Sequence, residues 1–220
     1  MEPLLLQEWE SKFIDYLHQH ITTNDAAHDI SHFKRVWNTC LAIDTAEGNK
    51  GDLLILLTAS YFHDLIAVPK NSPDRHKASF LSAEKTDTLL HTYFKGFPED
   101  KIAGVKHAIH AHSFSAGITP VTYEAKVLQD ADRMEALGAI GIARTFYVAG
   151  LLHTQMFHPT DPLAQNRALD DKTYALDHFQ VKLLKLPAQM NTASGKQLAE
   201  KYAAVLTAFM QQIVKETKGA

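Results

Sequence analysis

A histidine and an aspartate, His63-Asp64, close the apolar run Leu53-Leu54-Ile55-Leu56-Leu57-Thr58-Ala59-Ser60-Tyr61-Phe62. A carboxylate at the end of a segment that belongs in a core is costly if it is buried unpaired, so Asp64 calls for a cation, a metal ion or several hydrogen bonds. Neighbours on a helix point about 100° apart, yet both side chains can reach one ion lying beside the helix end. Alone, such a dipeptide is more often a structural hydrogen bond or a helix-ending ion pair.

Two further groups change the balance. His28, His32 and Arg35 stand at i, i+4 and i+7, a polar stripe on one helix face opposite Phe33, Val36 and Trp37. Asp130-Ala131-Asp132-Arg133 follows the apolar Val127-Leu128; Asp130 and Asp132 cannot share a face of a regular helix, so at most one of them joins a common site. The order is then histidine, histidine-aspartate, aspartate, each on its own helix. Two imidazoles and two carboxylates leave open positions on a six-coordinate ion, which suits manganese, iron, nickel or magnesium better than a closed tetrahedral zinc site. His107, His110 and His112 crowd a further helix end, with His107 and His110 spaced to converge.

The elements that must position these residues are helices. Apolar residues recur at three and four positions rather than two. Helices are predicted over Glu8–Ile21, Ser31–Glu47 (ended by Gly48), Leu53–Leu65 (capped by Asp52, stopped by Pro69), Ala78–Phe94, about Glu99–Ala111, one long segment from Thr122 to about Leu152, Tyr174–Leu186 and about Ser194–Lys215. The 53–65 helix is apolar nearly all round and belongs at the centre. Phe157–Asp171, with Pro159 and Pro162, reads as a long loop or lid. The expectation is an all-α, single-domain helical bundle over residues 1–220.

Bulk properties remove several function classes. With 220 residues, 45% hydrophobic and 21% charged, the chain has the composition of a folded globule. A formal net charge of -3 and the lack of basic runs exclude a general nucleic-acid binder. The longest apolar stretch is broken by His63-Asp64 and is too short for a membrane span, and Met1–Leu6 lacks the features of a signal peptide. One cysteine, Cys40, fits a reducing compartment, so the expected location is cytoplasmic.

On these segments the chain resembles the HD superfamily of metal-dependent phosphohydrolases, whose signature is His … His-Asp … Asp on a helical bundle. His32-Phe33-Lys34-Arg35-Val36 is similar to the family's first segment and Phe62-His63-Asp64-Leu65 to its second. Ala131-Asp132-Arg133-Met134 is similar to the Ala-Asp-Arg-Leu segment of the alarmone hydrolases. The resemblance covers roughly residues 28–145, and the whole chain looks like bacterial HD proteins of this length. It implies one divalent metal site formed by His32, His63, Asp64 and Asp132. Asp64 would orient or deprotonate a water, His28 would protonate the leaving oxygen, and Arg35 would neutralise phosphate, with Lys77, Arg133 and Arg144 as further cations. The His107–His112 cluster would bind substrate phosphate or a second metal. The implied substrate is a small phosphorylated molecule, foremost a nucleotide, with cleavage at the α-phosphate of a nucleoside triphosphate as the specific expectation. The alternatives are a di-iron HD-type oxygenase and a non-catalytic ligand-sensing domain. No nucleic-acid or membrane partner is expected, and a homodimer is compatible with the reading.

Overall fold

Asp52 starts the central helix as a capping residue should: its carboxylate accepts from the amides of Leu54 and Ile55, at 3.0 and 3.3 Å. It also pairs with Lys101. Burial works against the Asp52 carboxylate, but the Lys101 hydrogen bond and the two amides outweigh it and hold its pKa below the ordinary value. Replacing it, Asp52→Ala, is expected to cost about 1 kcal/mol in urea unfolding; an unchanged midpoint would mean that water serves the helix end equally well.

The computed structural model describes residues 3–20, 30–68, 72–113 and 116–218. Residues 1–132 and 133–220 form two compact units. The first contains α1 (Pro3–His20), α2 (Ile30–Ala46), α3 (Leu53–Phe62), α4 (Ala78–Thr92), α5 (Glu99–His112) and most of α6 (Tyr123–Met134). The second contains α7 (Gly138–Leu152), α8 (Asp177–Val181) and α9 (Ala193–Thr217). Among the described residues there is no strand, only a single bridge between Gln155 and Tyr174. The fold is all-α.

In the first unit α3 packs against α1, α2 and α5. This follows from its composition, since Leu54, Leu56, Leu57, Ala59, Tyr61 and Phe62 are all fully buried. The stripe Trp9, Phe13, Tyr16, Leu17 turns α1 toward it, and Phe13 meets Phe62 and Phe94 edge-on at 4.9 and 5.1 Å. Between α2 and α3, Gly48 (φ +95°) turns the chain back, and Asp44 Oδ1 accepts from the amides of Lys50 and Gly51 at 3.0 and 2.8 Å.

Four predicted elements differ. The first helix begins at Pro3 rather than Glu8. The central helix stops at Phe62 rather than Leu65, because the Leu65 amide takes the Phe62 carbonyl in a tighter turn and the Ile66 amide goes to Ser82 Oγ on α4. The Pro69 stop and residue Ile21 lie outside the described residues. The segment from 122 to 152 is two helices, broken after Met134 by turns closing on the carbonyls of Arg133 and Met134, with Gly138 at φ +64°. The predicted 174–186 helix shrinks to α8, because Ala175 and Leu176 spend their amides on the carbonyls of Gln155 and Met156, and a 3-10 turn follows at Leu183–Gln189.

In the second unit α7 packs on α9, with Phe146, Phe179 and Phe209 in mutual contact. The 157–171 segment lacks helix, as predicted, yet it is heavily bonded. Asp161 accepts from the amides of Gln165 and Asn166 at 2.9 and 2.8 Å. Arg167 grips the fully buried Asp177 through two hydrogen bonds, 2.6 and 2.7 Å, and lies 4.6 Å over the Tyr174 ring.

Candidate metal centre

Where α3 ends, its last turn presents His63. The ring Nδ1 donates to the Ser60 carbonyl at 2.9 Å, one turn back, which leaves Nε2 as the lone-pair nitrogen in the neutral ring. That nitrogen points at Nε2 of His32, 3.1 Å away on α2. Both rings are fully buried, and Phe33 stands edge-on to His63 at 5.5 Å. From α6, Asp132 brings Oδ1 to 3.6 Å from His63 Nε2 and 3.8 Å from His32 Nε2. The neighbouring Asp64 places Oδ2 at 3.7 Å from His63 Nε2.

These atoms fit a divalent ion. Ligand bonds of about 2.0–2.2 Å set adjacent ligand atoms about 3–3.5 Å apart, and the spacing of His32, His63 and Asp132 lies close to that range. An imidazole whose far nitrogen is held by a carbonyl is the usual arrangement for a metal-binding histidine, because it fixes both tautomer and ring orientation. The two carboxylates each retain 27% side-chain exposure while the two histidines have none. The imidazoles therefore form the floor and the carboxylates an open rim, which suits an ion with positions left for water and substrate.

Electrostatics point the same way. Burial opposes a charged His63, but the charge of Asp64 and the hydrogen bond the imidazole donates to Asp132 overcome it and push the imidazole up to about 9. Asp132, which burial would raise, is held well below the ordinary carboxylate value by its hydrogen bond to His63 and that ring's charge. The cluster stabilises positive charge at the point where the two nitrogens face each other.

A second group overlaps the first. His112, the last residue of α5, donates Nδ1 to the Ile109 carbonyl at 2.6 Å and turns Nε2 toward Asp64 Oδ1, 3.4 Å away; its ring lies 4.8 Å from that of His63. His63, Asp64 and His112 could likewise hold an ion. Gln129 ties the two helices that carry this side of the site, donating Nε2 to the Ala111 carbonyl at 2.7 Å from a position one turn before Asp132.

Of the residues expected from the sequence, His32, His63, Asp64 and Asp132 come together. Asp130 is fully buried and belongs to neither ligand group among the described residues. Arg35 is half-buried one turn after His32, and His28 lies outside the described residues. Of the other cations, Lys77 pairs with Asp74 at 2.7 Å, Arg144 with Glu135 at 3.4 Å, and Arg133 donates to the Gln189 carbonyl. His107 accepts from the Val121 amide and His110 meets Phe80, so the member of that trio that joins the site is His112. Helical periodicity carried the signal, since Ile102, Val105 and Ile109 form the buried stripe that His112 continues.

The family model of the HD domain matches residues 29–137. The Bacillus subtilis protein YpgQ is 34% identical over 203 residues, spanning 90% of this chain and 89% of YpgQ. Among solved structures, an HD-superfamily hydrolase from Bacillus thuringiensis superposes with a TM-score of 0.74 at 31% identity, covering 98% of this chain and 100% of that one. The crystal structure of YpgQ in complex with ADP superposes with a TM-score of 0.71 at 30% identity, covering 94% and 97%. The chain belongs to the HD-domain superfamily. Its likeness to a hydrolase of that superfamily along nearly the whole length supports hydrolytic activity.

Proposed function

We propose that the chain is a divalent-metal-dependent phosphohydrolase cleaving a phosphoanhydride bond of a nucleotide, with His32, His63, Asp64 and Asp132 as the metal ligands. The observation that carries this reading is the convergence of two buried imidazole nitrogens and a carboxylate oxygen within 3.8 Å of one another. The crystallised complex of YpgQ with ADP supports a nucleotide as the substrate class. The whole chain, 1–220, is read as one functional domain.

A divalent ion held by His32, His63, Asp64 and Asp132 would lower the pKa of a bound water and polarise a phosphoryl oxygen. The side chains supply the rest. Asp64, on the open rim beside the ligand nitrogens, orients the attacking water and receives its proton. Arg35, on the helix of His32, neutralises phosphate charge, and His28 delivers a proton to the leaving oxygen. His112 holds Asp64 in place by facing its other oxygen.

The test is a panel of nucleoside mono-, di- and triphosphates with manganese, magnesium, nickel or iron, assayed separately for phosphate and pyrophosphate. Pyrophosphate release from triphosphates is the expected result and assigns cleavage to the α-phosphate. Phosphate alone moves the cleaved bond outward. No hydrolysis of any nucleotide with any of the four metals overturns the reading. The overlapping His63, Asp64 and His112 group gives the di-iron oxygenase alternative its one support; two irons per chain with oxygen consumption would establish it instead.

A further inference from the structure

The last turn of α5 lies in the interior. Ala108, Ile109, Ala111 and His112 are buried, so the carbonyls of that turn, which have no partner within the helix, cannot all turn to water. Two side chains meet them. His112 Nδ1 donates to the Ile109 carbonyl at 2.6 Å, and from α6 Gln129 Nε2 donates to the Ala111 carbonyl at 2.7 Å. The peptide that Gln129 grips is the one joining Ala111 to His112, and Gln129 itself stands one turn before Asp132 on the same face of its helix. A buried amide, 4% exposed, therefore connects the backbone under His112 to the helix that carries Asp132.

We infer that Gln129 is a positioning residue of the metal centre: its hydrogen bond to the Ala111 carbonyl sets the rotation of α6 and so holds Asp132 at ligand distance from His32 and His63. The inference rests on the metal reading of the site given above. The apolar residues that α6 buries, Ala125, Val127, Leu128 and Ala131, fix its rotation less well, because apolar contact is non-directional, whereas a hydrogen bond weakens steeply when bent. Rolling α6 by about 20° would carry a side-chain atom about 5–6 Å from the axis through about 2 Å, while metal–ligand distances hold to about 0.2 Å. Asp132 Oδ1, at 3.6 and 3.8 Å from the Nε2 atoms of His63 and His32, would lose its place in such a roll. The rival role is a plain helix cap that satisfies a buried carbonyl; losing it would lower stability and leave the ion untouched.

Titrating the full chain, freed of metal by a chelator, with manganese while free manganese is read by electron paramagnetic resonance separates the two roles. Gln129→Met fills the same space without a hydrogen to donate, and it is expected to bind manganese about 10–100-fold more weakly than the parent chain, with circular dichroism unchanged. Thr86→Val removes another buried side-chain hydrogen bond, from Thr86 Oγ1 to the Ser82 carbonyl at 2.8 Å on α4, and is expected to keep the parent's manganese affinity even where its urea midpoint falls. Gln129→Asn, whose amide is one methylene too short to reach Ala111, is expected to weaken binding in the same direction and stands in for the methionine variant if that one does not fold. Parental manganese affinity in a folded Gln129 variant overturns the inference, as does an equal loss in Thr86→Val. A parent chain that binds no manganese overturns the metal reading itself, and the inference with it.

Discussion

His63→Ala, supplied with manganese and dialysed, is expected to keep less than about one tenth of the metal bound by the parent chain and to lose nucleotide hydrolysis by ~1000-fold or more, since losing even a group that only supports a ligand costs about 10–100-fold. The reason is geometric. His63 Nε2 lies 3.1, 3.7 and 3.6 Å from ligand atoms of His32, Asp64 and Asp132, so its removal takes away the nitrogen that adjoins each of the other three. Asp64→Ala is expected to act in the same direction. Metal analysis by mass spectrometry, beside circular dichroism to confirm folding, reads the first effect; phosphate and pyrophosphate release read the second. Full metal stoichiometry in both variants would remove these residues from the ligand set, whatever became of the activity.

The second large effect lies away from the metal. Asp177 is fully buried at the start of α8, where it accepts two hydrogen bonds from Arg167 and a third from the Asp170 amide at 2.7 Å. Removing the guanidinium leaves a carboxylate in the interior without its counter-charge. Arg167→Met is therefore expected to destabilise the 133–220 unit by about 3–5 kcal/mol, with the 157–171 segment losing its anchor. Arg167→Lys keeps the charge but gives up the two-pronged geometry, and its loss should be smaller. Urea unfolding followed by fluorescence and by protease susceptibility of the 157–171 segment measures both. A loss below about 1 kcal/mol for Arg167→Met would show that water replaces the arginine without penalty.

The helices were legible wherever periodicity and a cap coincided. Asp52 before an all-apolar run, Gly48 after a mixed one and Pro98 before Glu99-Asp100 each placed a boundary to within a residue or two. Boundaries set by partners distant in sequence were not legible. Nothing in Leu65-Ile66 announces that Ser82 takes the amide that would have continued α3. Nothing in Ala175-Leu176 announces that the carbonyls of Gln155 and Met156 take their amides. The candidate site shows the same division. His63-Asp64 stood out because its polarity conflicted with the run before it, and the choice of Asp132 over Asp130 came from resemblance. His112 has neighbours of equal chemistry, and only its place on the stripe of Ile102, Val105 and Ile109 separates it from His107 and His110.

Cys40 lies fully buried on α2, its sulfur 3.4 Å from Ser60 Oγ. Burial, with the nearby carboxylates of Asp130, Asp132 and Asp44, outweighs the Ser60 hydrogen bond and pushes the thiol up to about 12. At neutral pH almost none of it is thiolate, the form that reacts with alkylating reagents and oxidants. Because it is the only cysteine in the sequence, the folded chain is chemically silent toward maleimides. One cysteine introduced on its surface would take up a spectroscopic label at that position alone, with no need to remove the native thiol from beside the candidate metal centre.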